Sequence, residues 1–303
     1  MKKAFLQLHL AVFLAGFTAI FGKLILLNEG LLVWYRIAIT VAILLGLMWY
    51  KKNLVRLPFK VMLKIALVGF VISIHWVAFY GSVKYANISV GLVCLSATGF
   101  FTAILSPILL RQKIVLAELL LGLLAIIGIY IIFDFHPHYK LGIAFGIVSA
   151  IGSAIFPVLN KSLLKFYSPQ TLTLYELAGG LVMLSCFLPF YLYFFQPAYY
   201  VPTWTDFGWL FILASVCTVF CFDLQLQALK KISAFTMTLS YNLEPLYGIV
   251  LAFIFFKEGA MVNKWFYIGL SIIMSAVVLQ MSREWYARRK LNENARAVIA
   301  EKV

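Results

Sequence analysis

The chain has 303 residues, of which 64% are hydrophobic and 12% are charged. Soluble domains are about half apolar and about a quarter charged, so this composition excludes a soluble globular protein and requires solvation by lipid. The formal net charge of +14 lies in short loops between apolar runs rather than on one polar face, which argues against nucleic acid as a partner.

Ten segments carry about 20 consecutive, mostly apolar residues, the length that crosses a bilayer as a helix. In chain order they cover residues 4–27, 30–50, 60–83, 86–110, 115–133, 139–160, 169–195, 205–229, 232–256 and 263–282. The sequence therefore predicts an all-α integral membrane protein of ten transmembrane helices. Its start could pass for a signal peptide, but nine more apolar segments follow, so we predict a retained first helix.

The distribution of Lys and Arg predicts the orientation of these helices. With ten crossings both termini lie on one side, and 18 basic residues fall on that side against five on the other. Because basic loops stay in the cytoplasm, both termini are predicted to be cytoplasmic, in a bacterial inner membrane. Residues 283–303 form a polar cytoplasmic tail.

A weak internal repeat relates the two halves of the chain. A shift of 146 residues superimposes hydrophobic blocks and their breaks without a gap from about residue 67 to residue 114, and it lays Lys84 on Lys230. A shift of 140 lays Arg36 on Glu176. Each half has five segments, so the second half enters the membrane from the opposite side. Such inverted repeats are typical of secondary transporters. The predicted units are residues 1–136 and 137–282.

One stretch resembles a known family. Leu243-Glu244-Pro245-Leu246 with Gly248, then Phe256-Lys257-Glu258, and Gly269 in the last segment are similar to the ninth-helix signature of the EamA family of the drug/metabolite transporter superfamily. The resemblance covers residues 4 to about 282. It implies two inverted five-helix repeats, a central cavity, and transport of amino acids or related metabolites, often outward. Thr98-Gly99 stands where the second half has Glu244-Pro245, so one of the two symmetric positions carries a charge.

The sequence therefore predicts a secondary transporter, most simply an exporter of an amino acid or related small metabolite that works by alternating access. Its predicted partners are that solute and the lipid bilayer, with no cofactor or metal, as a monomer or weak homodimer. Uptake of a sugar, nucleoside or cofactor precursor on the same fold is an alternative. A membrane enzyme acting on lipid and a scaffold or sensor are the others, although no catalytic motif is present.

In the second half, ionisable groups inside apolar segments are the first candidates for a binding site, because burying them in lipid is costly. Glu244 lies near the middle of its segment beside Pro245, which opens a backbone carbonyl, and it shares a helical face with Thr238 and Tyr241. Substrate or proton binding and a structural lock between helices both remain open for this group. Asp223 and Gln227 are four residues apart, which favours a lined cavity or a solvated mouth.

In the first half, His75, Trp76, Phe79 and Tyr80 form an aromatic, hydrogen-bonding face that suits a small organic solute. Packing is the alternative, above all for His75. Three more polar residues are predicted to line the same cavity from repeat-related positions: Ser96, Thr98 and Asn242.

The remaining notable residues are predicted to have mainly structural roles. Gly142 and Gly146 recur every four residues before Pro157, which indicates close helix packing or a rocking interface. Arg36 is predicted to extend its side chain towards the membrane surface. The four cysteines, all within apolar segments, are predicted to be small buried hydrophobic groups.

Overall fold

The computed structural model describes residues 2–111, 113–133, 139–232, 237, 240–241, 243–260 and 263–300, and this part of the chain contains helices and no strand. Its first half consists of six helices, which are α1 (Lys2–Leu24), α2 (Glu29–Tyr50), α3 (Phe59–Tyr85), α4 (Ile88–Leu95), α5 (Thr98–Leu110) and α6 (Leu116–Phe133). The α4 and α5 helices together form one predicted segment that is interrupted at residues 96–97.

The second half begins with α7 (Lys140–Leu163), α8 (Pro169–Phe194), α9 (Trp204–Ala214) and α10 (Cys221–Lys231), the last two joined by a π-helical turn (Ser215–Phe220). It ends with α11 (Glu244–Phe256), a 3₁₀ turn (Glu258–Ala260) and α12 (Lys264–Ala300). Within the described residues, seven helical segments are long and apolar enough to cross a membrane, and three apolar helices are shorter. The protein is a multi-pass membrane protein; a full count of ten crossings stays a prediction.

Polar side chains at the helix starts explain where several of these helices begin. Asn28 accepts a hydrogen bond from the backbone N–H of Gly30 before α2, and Asn87 accepts one from Val90 before α4. Thr203 and Asp206 cap α9 reciprocally. Each cap satisfies a backbone N–H donor that the helix leaves unpaired. These capping residues therefore help to determine where the helices begin.

The helix bounds reproduce the repeat register. The α5 and α11 helices both contain 13 residues and begin and end 146 positions apart. The residue after each helix, Arg111 and Lys257 respectively, has left-handed backbone geometry with φ of 53° and 56°. The α2 and α8 helices both begin 140 positions apart. The two halves therefore share one pattern of elements, which fits a two-repeat architecture.

The halves pack on one another asymmetrically. The α3 helix lies along both α7 and α8, and this contact is more extensive than that of α9 and α10 with α1 and α2. Glycines make the α3 contact possible: a Cβ on Gly69 would lie 1.7 Å from the backbone oxygen of Glu176, and one on Gly179 would lie 2.3 Å from the Cβ of Ala66. Close backbone approach of this kind is typical of helices that pack through small residues in membranes.

The residues predicted to be hinge or packing elements lie on α7 and α11. Gly142 faces Ala86 just after α3, and Gly146 faces Cys94 on α4, each too closely for an added Cβ. Pro157 lies inside α7, and Pro245 lies in the first turn of α11, where its missing N–H leaves no helical hydrogen bond unmade.

Candidate functional site

A buried cavity of about 70 Å³ lies between the two halves. Side chains from both halves surround it, and aromatic groups predominate among the larger ones. Its lining residues are Ala15, Thr18, Arg36, His75, Trp76, Phe79, Leu95, Thr98, Ser153, Phe156, Pro157, Cys217, Cys221, Phe222, Gln225, Met237, Tyr241 and Glu244. The cavity thus combines apolar walls with a few polar groups, the composition expected of a site for a small organic molecule.

Arg36 supplies the positive charge of this cavity. It is 2% exposed, and its guanidinium carbon lies 3.8 Å from the centroid of the Trp76 ring. Its Nε donates to the Thr218 hydroxyl at 2.9 Å, and its Nη1 donates to the Tyr80 hydroxyl at 2.8 Å. The prediction that Arg36 reaches the membrane surface is therefore wrong, because three partners inside the protein compensate for its loss of water.

The π-helical turn between α9 and α10 positions one of these partners. Thr218 lies within the turn and donates its hydroxyl hydrogen to the Leu213 carbonyl at 2.8 Å, which leaves its oxygen free to accept from Arg36. Single π turns inside α-helices are frequent at functional sites, since they redirect side chains. Sequence periodicity gave no sign of this turn, so Thr218 was missed.

Glu244 supplies an acidic group to the same cavity. It is 7% exposed, begins α11, and lines the cavity together with Arg36. No described residue donates a hydrogen bond to its carboxyl group. Tyr241, one helical turn earlier, also lines the cavity, whereas Thr238 and Asn242 lie outside the described residues.

The predicted aromatic face of α3 lies at the cavity wall. His75, Trp76 and Phe79 line it directly, whereas Tyr80 contributes through its hydrogen bond to Arg36. The Nδ1 atom of His75 lies 2.7 Å from the Ser149 carbonyl oxygen. Because a carbonyl oxygen only accepts, Nδ1 carries the hydrogen, and His75 is tied to α7 rather than free to bind a solute through that nitrogen.

Asp223 and Gln227, which were predicted to line the cavity, lie outside it. Gln227 donates to Asp223 at 2.5 Å and accepts from Gln7 at 2.8 Å, and Gln170 also donates to Asp223. The prediction is wrong because Gln7 on α1 and Gln170 on α8 hydrogen-bond to Gln227 and Asp223, respectively, and hold these side chains of α10 between helices. Ser96 is also away from the lining: it is buried at the break between α4 and α5, while Thr98 faces the cavity.

The sequence pattern of the EamA-like transporter family matches residues 2–134 and, a second time, residues 140–280. The chain belongs to the EamA-like transporter family. The double match also agrees with the repeat that the helix bounds show.

Individual relatives support the EamA assignment. Two proteins from Archaeoglobus fulgidus, each named an uncharacterized transporter, are similar to this chain. One is 33% identical over 44% of this chain and 49% of its own length; the other is 26% identical over 73% and 76%, respectively. Uncharacterized transporter YetK of Bacillus subtilis is 26% identical over 84% of this chain and 80% of its own length.

One solved crystal structure is similar in fold to this EamA chain. It has a TM-score of 0.65 at 15% sequence identity, and the match covers 91% of this chain and 96% of the other. At that identity the likeness concerns the fold alone, and it supports the helical arrangement described above.

The EamA signature residues have visible structural roles here. Glu258 is 2% exposed, and its carboxyl group accepts hydrogen bonds from the backbone N–H groups of Ile88 and Ser89 at 3.2 and 3.0 Å. It therefore caps α4 of the first half from the end of α11 in the second. Gly269 on α12 lies against Gly128 on α6, with no room for a Cβ on either.

The repeat register of the EamA chain contains a signal for cavity residues that the sequence analysis overlooked. A shift of 146 residues aligns His75, Trp76 and Phe79 of the first half with Cys221, Phe222 and Gln225 of the second, and all six residues line the cavity. A shift of 135 turns Thr18 into Ser153, both of them lining residues. Cys94, Cys217 and Cys221 are buried as predicted, and the latter two also line the cavity, whereas the prediction is wrong for Cys186, which is exposed.

Proposed function

We propose that the protein is a secondary transporter that exports an amino acid or a related small metabolite by alternating access between two inverted five-helix halves. The observation that carries this proposal is the presence of both Arg36 and Glu244 in the lining of one buried cavity with aromatic walls. A guanidinium and a carboxyl group facing one space complement the carboxylate and the ammonium of an amino-acid zwitterion.

Both charged groups retain the capacity to bind a solute. The guanidinium of Arg36 has five N–H donors, and its two hydrogen bonds to Thr218 and Tyr80 leave three of them. The carboxyl group of Glu244 has no hydrogen-bond donor among the described residues. The remaining walls, formed largely by Trp76, Phe79 and Phe222, favour an apolar or aromatic side chain on the solute.

The size of the cavity and the packing of the halves support a site that opens and closes. A cavity of about 70 Å³ is smaller than the roughly 300 Å³ or more of typical ligand pockets, so a bound metabolite requires the halves to separate. Two similar halves packed unequally are what one state of an alternating-access cycle requires, since the exchange of the two packings generates the other state.

The proposed driving force and orientation rest on the sequence, and the proposed direction rests on the family resemblance. It contains no phosphate-binding motif, so transport is driven by a gradient or by exchange. The excess of Lys and Arg on one side places both termini in the cytoplasm of a bacterial inner membrane. Outward movement is inferred from the family resemblance.

Counterflow into liposomes that contain the purified protein tests this function. Liposomes are loaded with one unlabelled amino acid, sugar or nucleoside, and the entry of a labelled panel is measured. We expect accumulation of amino acids, reduced by Glu244→Gln and unchanged by Glu118→Gln, because Glu118 pairs with Arg283 away from the cavity. Accumulation of sugars or nucleosides alone would show that the substrate is not an amino acid. If no solute accumulates, the proposal that the protein is a transporter is wrong.

A further inference from the structure

Another buried acid, Glu176, lies away from the cavity and has no role in the function above. Glu176 on α8 is 0% exposed, and neither of its carboxyl oxygens has a hydrogen-bond partner in the described part of the chain. Asn160 on α7 lies beside it, is also 0% exposed, and leaves both its amide nitrogen and its oxygen unpaired there. Within the described residues, four polar atoms are thus enclosed without a hydrogen-bond partner, which is rare in proteins.

In the described part of the chain, no charged side chain forms a hydrogen bond with Glu176. Arg36 on α2 is engaged with Tyr80 and Thr218, and His75 on α3 is engaged with Ser149 on α7. On the other neighbouring helices, Lys161 of α7 donates to the Leu229 and Ile232 carbonyls, and Asp223 of α10 accepts from Gln170 and Gln227. The backbone of α3 closes the remaining side, since Gly69 lies directly against Glu176. An ionised carboxylate in this position would be a bare buried charge, which is strongly disfavoured.

The amide of Asn160 favours the protonated form of Glu176 over the ionised form. A primary amide has donors and an acceptor, and a neutral carboxylic acid has one of each, so the two groups can exchange two hydrogen bonds. With a proton on Glu176, the acid O–H could donate to Oδ1 of Asn160 and Nδ2 of Asn160 could donate to the acid carbonyl, which would supply the hydrogen bonds that these atoms lack. An ionised carboxylate could accept a hydrogen bond from the amide N–H of Asn160, but it has no hydrogen to donate to Oδ1. Oδ1 would therefore stay unpaired next to a negatively charged oxygen.

The internal repeat suggests when Glu176 and Asn160 become accessible during alternating access. Glu176 is the eighth residue of α8, as Arg36 is of α2, and the shift of 140 aligns them. In the present packing Arg36 lines the cavity, while α3 seals Glu176. Exchanging the packings of the two halves would open the cavity towards Glu176 and seal Arg36.

We propose that Glu176 and Asn160 form a proton-binding site whose occupancy stabilises the packing of α3 on α7 and α8. In the exchanged packing, the Glu176 carboxylate takes one proton from solvent in the open cavity and becomes a neutral acid; closure then encloses the neutral acid beside Asn160. Reopening returns that proton. The proposal rests on the alternating access proposed above, and it adds one proton bound per closure.

The sign of the pH dependence follows from this step. The packing seen here binds one more proton than the exchanged packing, so raising the pH shifts the population away from it. Glu176→Gln keeps the size of the side chain and cannot ionise, so it should hold this packing at every pH. Glu176→Leu serves as a second non-ionisable variant in case the glutamine variant does not fold.

Hydrogen–deuterium exchange in lipid nanodiscs tests the site without requiring transport. After correction for the intrinsic pH dependence of exchange, we expect wild-type backbone amides of α3 and α8 to exchange faster in alkaline than in acidic buffer. We expect this difference to be lost in Glu176→Gln and Glu176→Leu and retained in Glu118→Gln. A wild-type protein with no such difference, variants that retain it, or a response that follows sodium concentration instead of pH would overturn the proposal.

Counterflow separates this inference from the proposed function. A wild-type protein that shows the Glu176-dependent exchange difference but moves no solute would keep the proton site and discard transport. A protein that moves amino acids with an unchanged pH profile in Glu176→Gln would keep transport and discard the proton site.

Discussion

The guanidinium of Arg36 on α2 is stacked on the indole of Trp76 on α3, with 3.8 Å between the guanidinium carbon and the ring centroid. A desolvated cation–π contact of this kind is worth up to about 2 kcal/mol. Hydrogen bonds to Tyr80 and Thr218 fix the plane of the guanidinium as well. The two side chains therefore present a preformed, oriented donor surface to the cavity.

Replacing Arg36 with lysine should weaken solute binding while retaining the charge. A lysine cannot make both hydrogen bonds in one plane or stack on Trp76, so the loss of about 1.4 kcal/mol or more lowers apparent affinity about tenfold. The measurement is the concentration dependence of counterflow. Arg56→Lys is the matched control, because Arg56 is exposed in the loop before α3 and should behave as wild type. Equal affinities for Arg36→Lys and wild type would exclude Arg36 from the binding site.

The Gly69→Ala substitution should destabilise the protein by overpacking the α3–α8 contact. The added Cβ would lie 1.7 Å from the Glu176 backbone oxygen, and overpacking of a tight interface typically costs about 1–3 kcal/mol. We expect a lower thermal unfolding midpoint in detergent and reduced counterflow.

Gly46→Ala is the control for that substitution. No atom lies within 4 Å of a Cβ at Gly46, so alanine there should be neutral or stabilising by about 0.5–1 kcal/mol through its better helix propensity. If both alanine variants unfold at the same temperature, the close approach of α3 and α8 is not a feature of the folded protein.

Removing the charge of Glu258 should uncouple the start of α4 from the end of α11. Its carboxyl group also accepts from the Ser89 hydroxyl at 2.8 Å, so three hydrogen bonds depend on it. Hydrogen bonds to charged groups contribute about 1.5–3 kcal/mol, and we expect Glu258→Gln to lower stability by about 2 kcal/mol.

A double-mutant cycle with Ser89→Ala isolates the hydroxyl contact. The two substitutions should be less than additive in the unfolding free energy, because Ser89→Ala removes the hydroxyl bond that Glu258→Gln weakens. Strict additivity would show that Glu258 acts through the backbone N–H groups alone.

The sequence predicted the parts of this molecule that repeat and the parts that are apolar. Helix positions follow from hydrophobic length, and the shift of 146 carries the bounds of α5 onto those of α11. Glu244 and Trp76 stood out because a charge or a large aromatic face in an apolar segment is conspicuous. The resemblance to the EamA family rested on a short motif around Glu244 and Pro245 together with the ten apolar segments, the charge pattern and the half-length repeat, and the family match confirms it.

Tertiary contacts decided what the sequence could not. Whether Arg36 extends to the surface or turns inward depends on Thr218, which only the π turn brings within 2.9 Å. Asp223 is four residues from Gln227, the spacing of residues that share a helical face, but its side chain accepts a hydrogen bond from Gln170 on α8 and does not line the cavity. Local periodicity contains neither fact, because each depends on residues far apart in the chain.

The orientation of the chain in the membrane can be tested with two single cysteines. The excess of basic residues predicts that the connection after α8 is extracytoplasmic and that the connection after α7 is cytoplasmic. Gln196 and Lys165 lie in these connections, and both side chains are exposed, so a thiol at either position can react. Cys186, which is exposed on α8, is replaced in the background. In intact cells an impermeant maleimide should label Gln196→Cys and spare Lys165→Cys, and permeabilisation should make the second site reactive. Labelling of Lys165→Cys in sealed cells would reverse the predicted orientation.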